Sequence, residues 1–194
     1  MFASGQILFS ILLIALLLAE AIVFIILILI FISGLVSHTH GAPYVPIKKK
    51  LTKALLIFGE LSPSDIFYDL GSGDGRVLIT AARDFRVKKA IGYEIALWPY
   101  LKSNFLTKRL HLNNRVHIYR KDFFEGDLSA ASFIYMYLFP KLVDKLAFKI
   151  ANECQPGTKV LCPSFPIDIT RHPEFRLLKS GKVGKITTYL YQKI

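Results

Sequence analysis

Hydrophobic residues follow two different patterns along the chain. Residues 7–32 are almost wholly apolar, whereas short apolar runs alternate with amphipathic stretches after residue 50. As a helix, the first segment is roughly 39 Å long at 1.5 Å per residue. That exceeds the ~30 Å hydrocarbon core of a bilayer, so the helix can span with tilt. The pattern predicts one transmembrane helix followed by a globular α/β unit.

The second pattern predicts a layered sheet. Leu51, Ala54, Leu55, Phe58 and Leu61 mark an amphipathic helix. We expect strands at 66–70, 90–94, 116–119, 133–138 and 159–162, and helices over 75–85, from 96, and from 140 to 154. Residues 175–179 and 185–192 are expected to form a closing antiparallel hairpin that turns at Ser180-Gly181. Strands that alternate with helices predict a Rossmann-like, mostly parallel, doubly wound α/β sheet, here of seven strands.

Charge orients the predicted membrane helix. Glu20 is the only charged side chain before residue 38, so residues 38–194 carry +12 against +11 for the whole chain. No Lys or Arg precedes the apolar segment, which favours a retained anchor over a cleaved signal peptide. The lysines that follow it, Lys48, Lys49, Lys50 and Lys53, predict an N-terminus outside and a cytoplasmic domain, or a matrix-side domain in an organelle.

These boundaries divide the chain into three parts. We expect an anchor over residues 1–37, a linker and basic juxtamembrane segment over 38–50, and a globular domain over 51–194. The two cysteines, Cys154 and Cys162, lie on apolar faces and are interpreted as core residues, so neither a disulfide framework nor a metal site is predicted.

A glycine-rich turn marks the predicted ligand site. Gly71, Gly73 and Gly75 follow the first strand at alternate positions and precede a helix. A strand, a glycine turn and a helix N-terminus together form a common ligand site in α/β sheets. The Gly-Lys-Ser/Thr end of a Walker phosphate loop is absent, and the spacing differs from the G-x-G-x-x-G of a dinucleotide site.

Acidic residues indicate which ligand this turn binds. Asp69 and Asp74 flank the glycines and would repel a pyrophosphate, but they favour a ligand with an ammonium or sulfonium group. That points to S-adenosylmethionine. Glu94 ends the second strand, where a carboxylate can accept both ribose hydroxyls. Asp122 follows the third strand and is predicted to accept the adenine amino group, with the backbone N–H and the ring of Phe123 beside it.

The same residues resemble a known family. Asp69-Leu70-Gly71-Ser72-Gly73-Asp74-Gly75-Arg76, Gly92-Tyr93-Glu94 and Asp122 are similar to the cofactor motifs of class I S-adenosylmethionine-dependent methyltransferases. The resemblance covers about residues 43–165. It is closest to the lysine methyltransferases that include the mitochondrial ATP synthase c-subunit enzyme and archaeal broad-specificity relatives. The features shared with that branch are Pro43-Tyr44-Val45-Pro46, the glycine loop in this form, Asp122-Phe123-Phe124, Asp127-Leu128-Ser129 and Tyr137-Leu138-x-Pro140. Its eukaryotic members also carry a membrane-anchoring segment ahead of the catalytic domain. A departure is Trp98-Pro99-Tyr100 after Glu94, where smaller or more polar residues are expected.

The resemblance implies methyl transfer from S-adenosylmethionine to a lysine ε-amine. Tyr137 and Tyr44 become candidates for an aromatic channel around the lysine stem, Tyr135 is interpreted as core packing, and no dedicated base is evident. The expected partners are a protein substrate, preferably a membrane protein, and lipid around residues 7–32. The cofactor-binding residues implied are Asp69, Gly71, Ser72, Gly73, Asp74, Gly75, Glu94, Asp122 and Phe123.

Two other functions remain open at this point. The first is a methyltransferase acting on a lipid or other small molecule at the membrane surface. The second is a non-catalytic module that binds S-adenosylmethionine or serves in assembly. A nucleic-acid substrate fits the basic charge. However, it fits neither the anchor nor the Tyr137-Leu138-Phe139-Pro140 segment, which stands where amino-methylating nucleic-acid enzymes carry Asn/Asp-Pro-Pro-Tyr.

Overall fold

The computed structural model describes residues 2–39 and 47–194. The first element, α1, is a single helix over Phe2–Thr39. Within it, Phe9–Leu29 has a mean hydropathy of 3.3 and none of this stretch is buried against the rest of the chain. By length and composition this segment is able to cross a membrane. Its side chains stay exposed, although Ile26 and Leu29 near its end lie against Leu97 and Trp98.

The globular part is an α/β unit that begins just before α2. Its helices are α2 (Lys49–Phe58), α3 (Arg76–Asp84), α4 (Leu97–Arg109) and α5 (Pro140–Glu153), with a 3₁₀ turn at Phe123–Glu125. Its strands are β1 (Ile66–Leu70), β2 (Lys89–Tyr93), β3 (Val116–Tyr119), β4 (Phe133–Tyr135), β5 (Lys159–Pro163), β6 (Phe175–Val183) and β7 (Ile186–Lys193).

The seven strands form one sheet in the order β3-β2-β1-β4-β5-β7-β6. The first five strands are parallel, and β7 pairs antiparallel with both β5 and β6. The strand order reverses between β1 and β4, which is where open α/β sheets place their ligand sites. The predicted mostly parallel seven-stranded sheet with a C-terminal hairpin is confirmed.

Alternation along β1 divides the core between the two faces of the sheet. Tyr68 and Leu70 belong to one apolar cluster, which includes the inner face of α5, and Phe67 belongs to a second cluster with α2 and α3. Successive strand residues point to opposite faces, so the two clusters cover opposite sides of the sheet. The helices thereby leave the carboxyl ends of the parallel strands as a rim on which loop residues converge.

Two predicted element boundaries were wrong. The hairpin turns at Gly184, which has a φ of +62°, and Ser180-Gly181 lies within β6 instead. A Cβ on Gly181 would meet the ring of Phe58 at 3.3 Å, so close packing against α2 explains that glycine. The strand predicted over 133–138 ends as β4 at Tyr135, although Met136 still donates its N–H to the Leu161 carbonyl.

Candidate functional site

The glycine turn is held in a left-handed backbone conformation. Gly71, Gly73 and Gly75 have φ values of +82°, +54° and +76°, which side chains with a Cβ rarely adopt. The turn also packs closely on its neighbours. A Cβ on Gly75 would lie 2.9 Å from the Cβ of Ser103 in α4, which accounts for small residues at this contact.

The peptide groups of the turn are bonded to β2 rather than left bare. The N–H groups of Gly71 and Ser72 both donate to the carbonyl of Tyr93, at 3.1 and 2.9 Å. Beneath them, a Cβ on Gly92 would meet the Ser72 Oγ at 2.7 Å, so a glycine at that position in β2 permits the loop to settle. The loop is thus rigidly seated on the end of β2.

Glu94 locks the turn from the β2 side. Its Oε2 accepts the N–H of Gly73 at 2.8 Å, and its Oε1 accepts the N–H of Ala96 at 2.8 Å. Burial raises the pKa of this carboxyl, while the donated backbone N–H groups pull it back down. Each carboxylate oxygen carries two lone pairs, so both oxygens retain capacity for a ligand hydroxyl.

Asp69 is the most unusual charge in the site. Its side chain is buried at the end of β1, and its Oδ2 has no hydrogen-bond partner among the described residues. Burial, followed by the nearby carboxylates of Glu94 and Asp74, raises the pKa of Asp69 well above its usual range. An unpaired buried carboxylate costs free energy unless a cation reaches it, so this position fits a positively charged ligand.

Asp74 differs from Asp69 although both flank the glycines. Its oxygens accept from the Arg76 guanidinium at 2.8 and 2.7 Å and from the Lys102 ammonium at 3.0 Å. The sequence alone predicts an uncompensated negative charge at Asp74 beside the ligand, but in the structure two cations compensate it. The attraction for a cationic ligand therefore rests mainly on Asp69.

A cleft of about 420 Å³, including its open mouth, lies beside the turn. Its lining includes Asp69 and the side chains of Tyr135 and Tyr137, which lie at the end of β4 and just beyond it. The Tyr135 hydroxyl is buried without a partner among the described residues, and burial, then Asp69, raises its pKa well above 10. The sequence pattern favours a core role for Tyr135, and only the structure shows that its hydroxyl is buried beside Asp69. The other channel candidate, Tyr44, lies outside the described residues.

Asp122 and Phe123 lie past the end of β3. The Asp122 Oδ1 accepts the N–H of Phe124 at 2.9 Å and thereby caps the 3₁₀ turn. Phe123 is half-buried, with its ring centroid 4.9 Å from that of Phe124. Next to them, a Cβ on Gly126 would lie 2.4 Å from the Tyr93 ring, a close contact that the sequence pattern did not predict. The structure therefore places these two residues on the same rim as Glu94, two strand ends away from Asp69.

The polar groups that line the cleft suit S-adenosylmethionine. Among the described residues that line the cleft, three buried side-chain atoms lack a hydrogen-bond partner: Asp69 Oδ2, Ser72 Oγ and Tyr135 OH. A cationic amino-acid group can satisfy the carboxylate, and a ribose can use the remaining lone pairs of Glu94. The residues present thus match both the charge and the hydrogen-bonding groups of the cofactor.

Comparisons with known proteins agree with a site for S-adenosylmethionine. A family model described as the ANTKMT methyltransferase domain matches residues 69–173. A protein-lysine N-methyltransferase of Saccharolobus islandicus is 36% identical over 155 residues, which cover 80% of this chain and 96% of that protein. An ATP synthase c-subunit lysine N-methyltransferase of Xenopus laevis is 30% identical over 124 residues, 64% of this chain and 54% of that longer protein.

A solved structure extends the agreement to the fold. The RNA methyltransferase of Salinibacter ruber, crystallised with S-adenosyl-L-homocysteine, superposes with a TM-score of 0.70 at 28% identity, covering 77% of this chain and 94% of that one. S-adenosyl-L-homocysteine is the demethylated form of the cofactor that the acids of this site predict. The chain therefore belongs to the ANTKMT methyltransferase domain family and is an S-adenosylmethionine-dependent methyltransferase.

Proposed function

We propose that this chain is a membrane-anchored enzyme that methylates a lysine ε-amine on a membrane-associated protein. The observation that carries the chemistry is the unpaired, buried Asp69 carboxylate beside a tyrosine-lined cleft. Substrate class is supported by the archaeal relative, whose name gives protein lysine as its target and whose length this chain covers almost completely. The apolar segment Phe9–Leu29, none of which is buried, supports the anchor.

In this proposal the acids on the rim position the methyl donor. Asp69 holds the amino-acid end, Glu94 the ribose hydroxyls, and Asp122 with Phe123 the adenine. The glycines Gly71, Gly73 and Gly75, together with Ser72, keep the backbone low enough for close approach, and Asp74 braces the loop through Arg76 and Lys102. The bound cofactor supplies a methyl group on a positively charged sulfur.

The enzyme's remaining task is to deliver a neutral amine. A pH of 7 is about 3.4 units below the pKa of a free lysine, so removing the proton from its ammonium costs roughly 4.6 kcal/mol. Burial in the cleft lowers the pKa of the amine, because a desolvated ammonium is disfavoured. The Tyr137 ring can hold the lysine stem in line while the proton is lost to solvent, so alignment supplies much of the rate and no dedicated base is required.

The anchor gives the active domain a defined location. Lys48, Lys49 and Lys50 are exposed immediately before and at the start of α2, at the point where the chain enters the globular unit. Under the positive-inside rule, the N-terminus lies outside and the active domain lies on the cytoplasmic face, or on the matrix face in an organelle. Residues 1–37 then serve as the anchor, 38–50 as the juxtamembrane linker, and 51–194 as the methyltransferase domain. A membrane protein of the same bilayer is the natural substrate.

Methyl-labelled cofactor tests this proposal. The full chain, reconstituted in vesicles, is incubated with labelled S-adenosylmethionine and a membrane extract containing protein, lipid and RNA. We expect the label in protein, mapped by mass spectrometry to the Nε of lysine. Label confined to lipid would favour the surface lipid methyltransferase instead, and label confined to RNA would also contradict the proposal. Glu94→Ala should abolish labelling, whereas Glu174→Ala, an exposed glutamate beside β6, should leave it unchanged.

A further inference from the structure

The helix α4 has its polar and apolar positions reversed relative to a helix that covers a core. Its buried residues are the small polar Ser103 and Thr107. Trp98, Leu101 and Phe105 are instead 53%, 49% and 62% exposed. These three follow i, i+3, i+7 spacing, which places them on one side of a helix. A large apolar stripe that faces outward marks an interaction surface.

Contact with α1 determines the depth at which this apolar stripe would lie relative to a bilayer. Ile26 and Leu29 of α1 line an apolar pocket together with Leu97 and Trp98 of α4. Both α1 residues belong to the last turn of the apolar stretch Phe9–Leu29. If that stretch spans a bilayer, its last turn lies at the boundary between hydrocarbon and headgroups. Tryptophan is enriched at this depth because its ring is apolar at one end and carries a polar N–H at the other.

The charges around α4 are those that an anionic membrane attracts. Lys108 and Arg109 are exposed at the end of α4, and Arg120 and Lys121 are exposed just after β3. Basic side chains near an anionic leaflet each contribute about 1 kcal/mol of attraction. An outward apolar stripe with basic residues beyond it is the arrangement of an interfacial helix.

We propose that the outer face of α4 (Trp98, Leu101 and Phe105) lies in the headgroup region of the bilayer that α1 spans. This inference rests on the proposed anchorage and adds a second, peripheral contact to it. Two contacts fix the orientation of the domain where one helix and a linker would leave it to rotate. Because α4 begins three residues after Glu94, the cofactor rim is held against the membrane surface, and lysines close to that surface are the ones within reach.

The sequence supplies a direct probe, since Trp98 is the only tryptophan of the chain. The full chain is reconstituted in vesicles of phosphatidylcholine and phosphatidylglycerol that contain phosphatidylcholine brominated at shallow or at deep acyl positions. An interfacial face lies about 5–10 Å into the headgroup and acyl boundary. We expect strong quenching by shallow bromine and weaker quenching by deep bromine. Fluorescence that neither bromine quenches would overturn the proposal, including the case in which the stripe is covered by a second copy.

Variants distinguish this contact from the anchor itself. Leu101→Glu with Phe105→Glu should lower the ratio of docked to undocked domain by about tenfold or more, since two apolar side chains lose their burial. Quenching of Trp98 should then fall while cofactor affinity is unchanged. Phe148→Glu is the matched control, because Phe148 is 67% exposed but lies on α5, whose inner face covers the opposite side of the sheet.

Alkaline extraction of the same vesicles separates the two failures. If the full chain stays in the membrane pellet but Trp98 remains unquenched, the α4 contact is wrong and the anchor stands. If the chain is extracted, the proposed anchorage fails, and the α4 contact fails with it. Retention in the pellet together with quenching that Leu101→Glu and Phe105→Glu remove, and Phe148→Glu does not, is the result that the proposal requires.

Discussion

The sheet rim and the outer face of α4 break the same packing rule in opposite directions. At the rim, Asp69 and Tyr135 bury polar atoms that have no partner within the described residues. On α4, Leu101 and Phe105 expose apolar side chains while Ser103 and Thr107 are buried. Either arrangement destabilises the isolated chain, because burying unpaired polar groups and exposing apolar ones are both unfavourable. Each therefore indicates a partner of complementary chemistry: a cationic cofactor at the rim and, we propose, lipid at α4.

We expect the largest effect from Glu94→Ala, which should impair the sheet rim and leave the outer face of α4 unchanged. Replacing Glu94 by Ala removes the acceptor for the N–H groups of Gly73 and Ala96 and the acceptor that we propose for the ribose hydroxyls. Since each hydrogen bond to a charged group contributes about 1.5–3 kcal/mol, we expect a loss of cofactor affinity of about 100-fold or more by calorimetry. The contact of α4 with the membrane, measured by the quenching of Trp98 fluorescence, should stay at the wild-type level. Undiminished cofactor affinity would show that Glu94 is not part of the site.

Asp69→Asn should reveal the cost of the unpaired charge. We expect cofactor affinity to fall by about tenfold or more, because the bond to a cation is lost. Stability without cofactor should move the other way, since an uncompensated buried carboxylate is removed. A gain of ~1 kcal/mol corresponds to about 2–4 °C in Tm for a chain of this size. A lower Tm for Asp69→Asn would mean that the carboxylate is stabilised in a way the structure does not show.

The difference in stability between wild type and Asp69→Asn should depend on pH, because the pKa of Asp69 is raised in the fold. As pH rises past the unfolded-state value near 3.9, the unfolded chain releases the Asp69 proton while the folded chain retains it. The unfolded state then binds fewer protons, so this group's contribution to stability declines with pH until Asp69 ionises in the fold. The difference in Tm between Asp69→Asn and wild type should therefore grow from pH 4 upward. A difference that is constant with pH would contradict the raised pKa.

Tyr137 tests the substrate side of the cleft. Tyr137→Ala should lower kcat/KM for a lysine substrate by about tenfold or more, because a desolvated cation–π contact contributes about 2 kcal/mol. Tyr137→Phe keeps the ring and should retain most of the activity, and cofactor affinity should be the same in both. An equal loss in the two variants would assign the effect to the hydroxyl instead of the ring.

Asp74→Asn is the smallest and most discriminating change. Its charge is already compensated by Arg76 and Lys102, so the field at the cofactor should hardly change. We expect a change in affinity of about threefold or less, within the range of partly exposed ion pairs. A loss as large as that of Asp69→Asn would restore the view that both acids attract the cofactor equally.

The features of the fold and site that depend on neighbouring residues could be predicted from the sequence, and those that depend on distant contacts could not. The strand Ile66–Leu70, the alternate glycines and the helix after them are specified by neighbouring residues, so the rim and its acids could be predicted from sequence. The partners of Asp74 could not, since Lys102 is 28 positions away and only packing of α4 against Gly75 brings it close. The hairpin turn was misplaced because Gly181 and Gly184 look alike in sequence, and only tertiary contact shows that one is packed and the other turns the chain.

The proposal that this enzyme acts at its own membrane is tested most directly in reconstituted vesicles. The full chain and the membrane protein that takes up label are placed either in the same vesicles or in separate ones, with S-adenosylmethionine present in both cases. We expect lysine methylation when enzyme and substrate share a bilayer, and almost none when they do not. Equal rates in the two arrangements, or methyl groups on any acceptor other than lysine, would contradict the proposal.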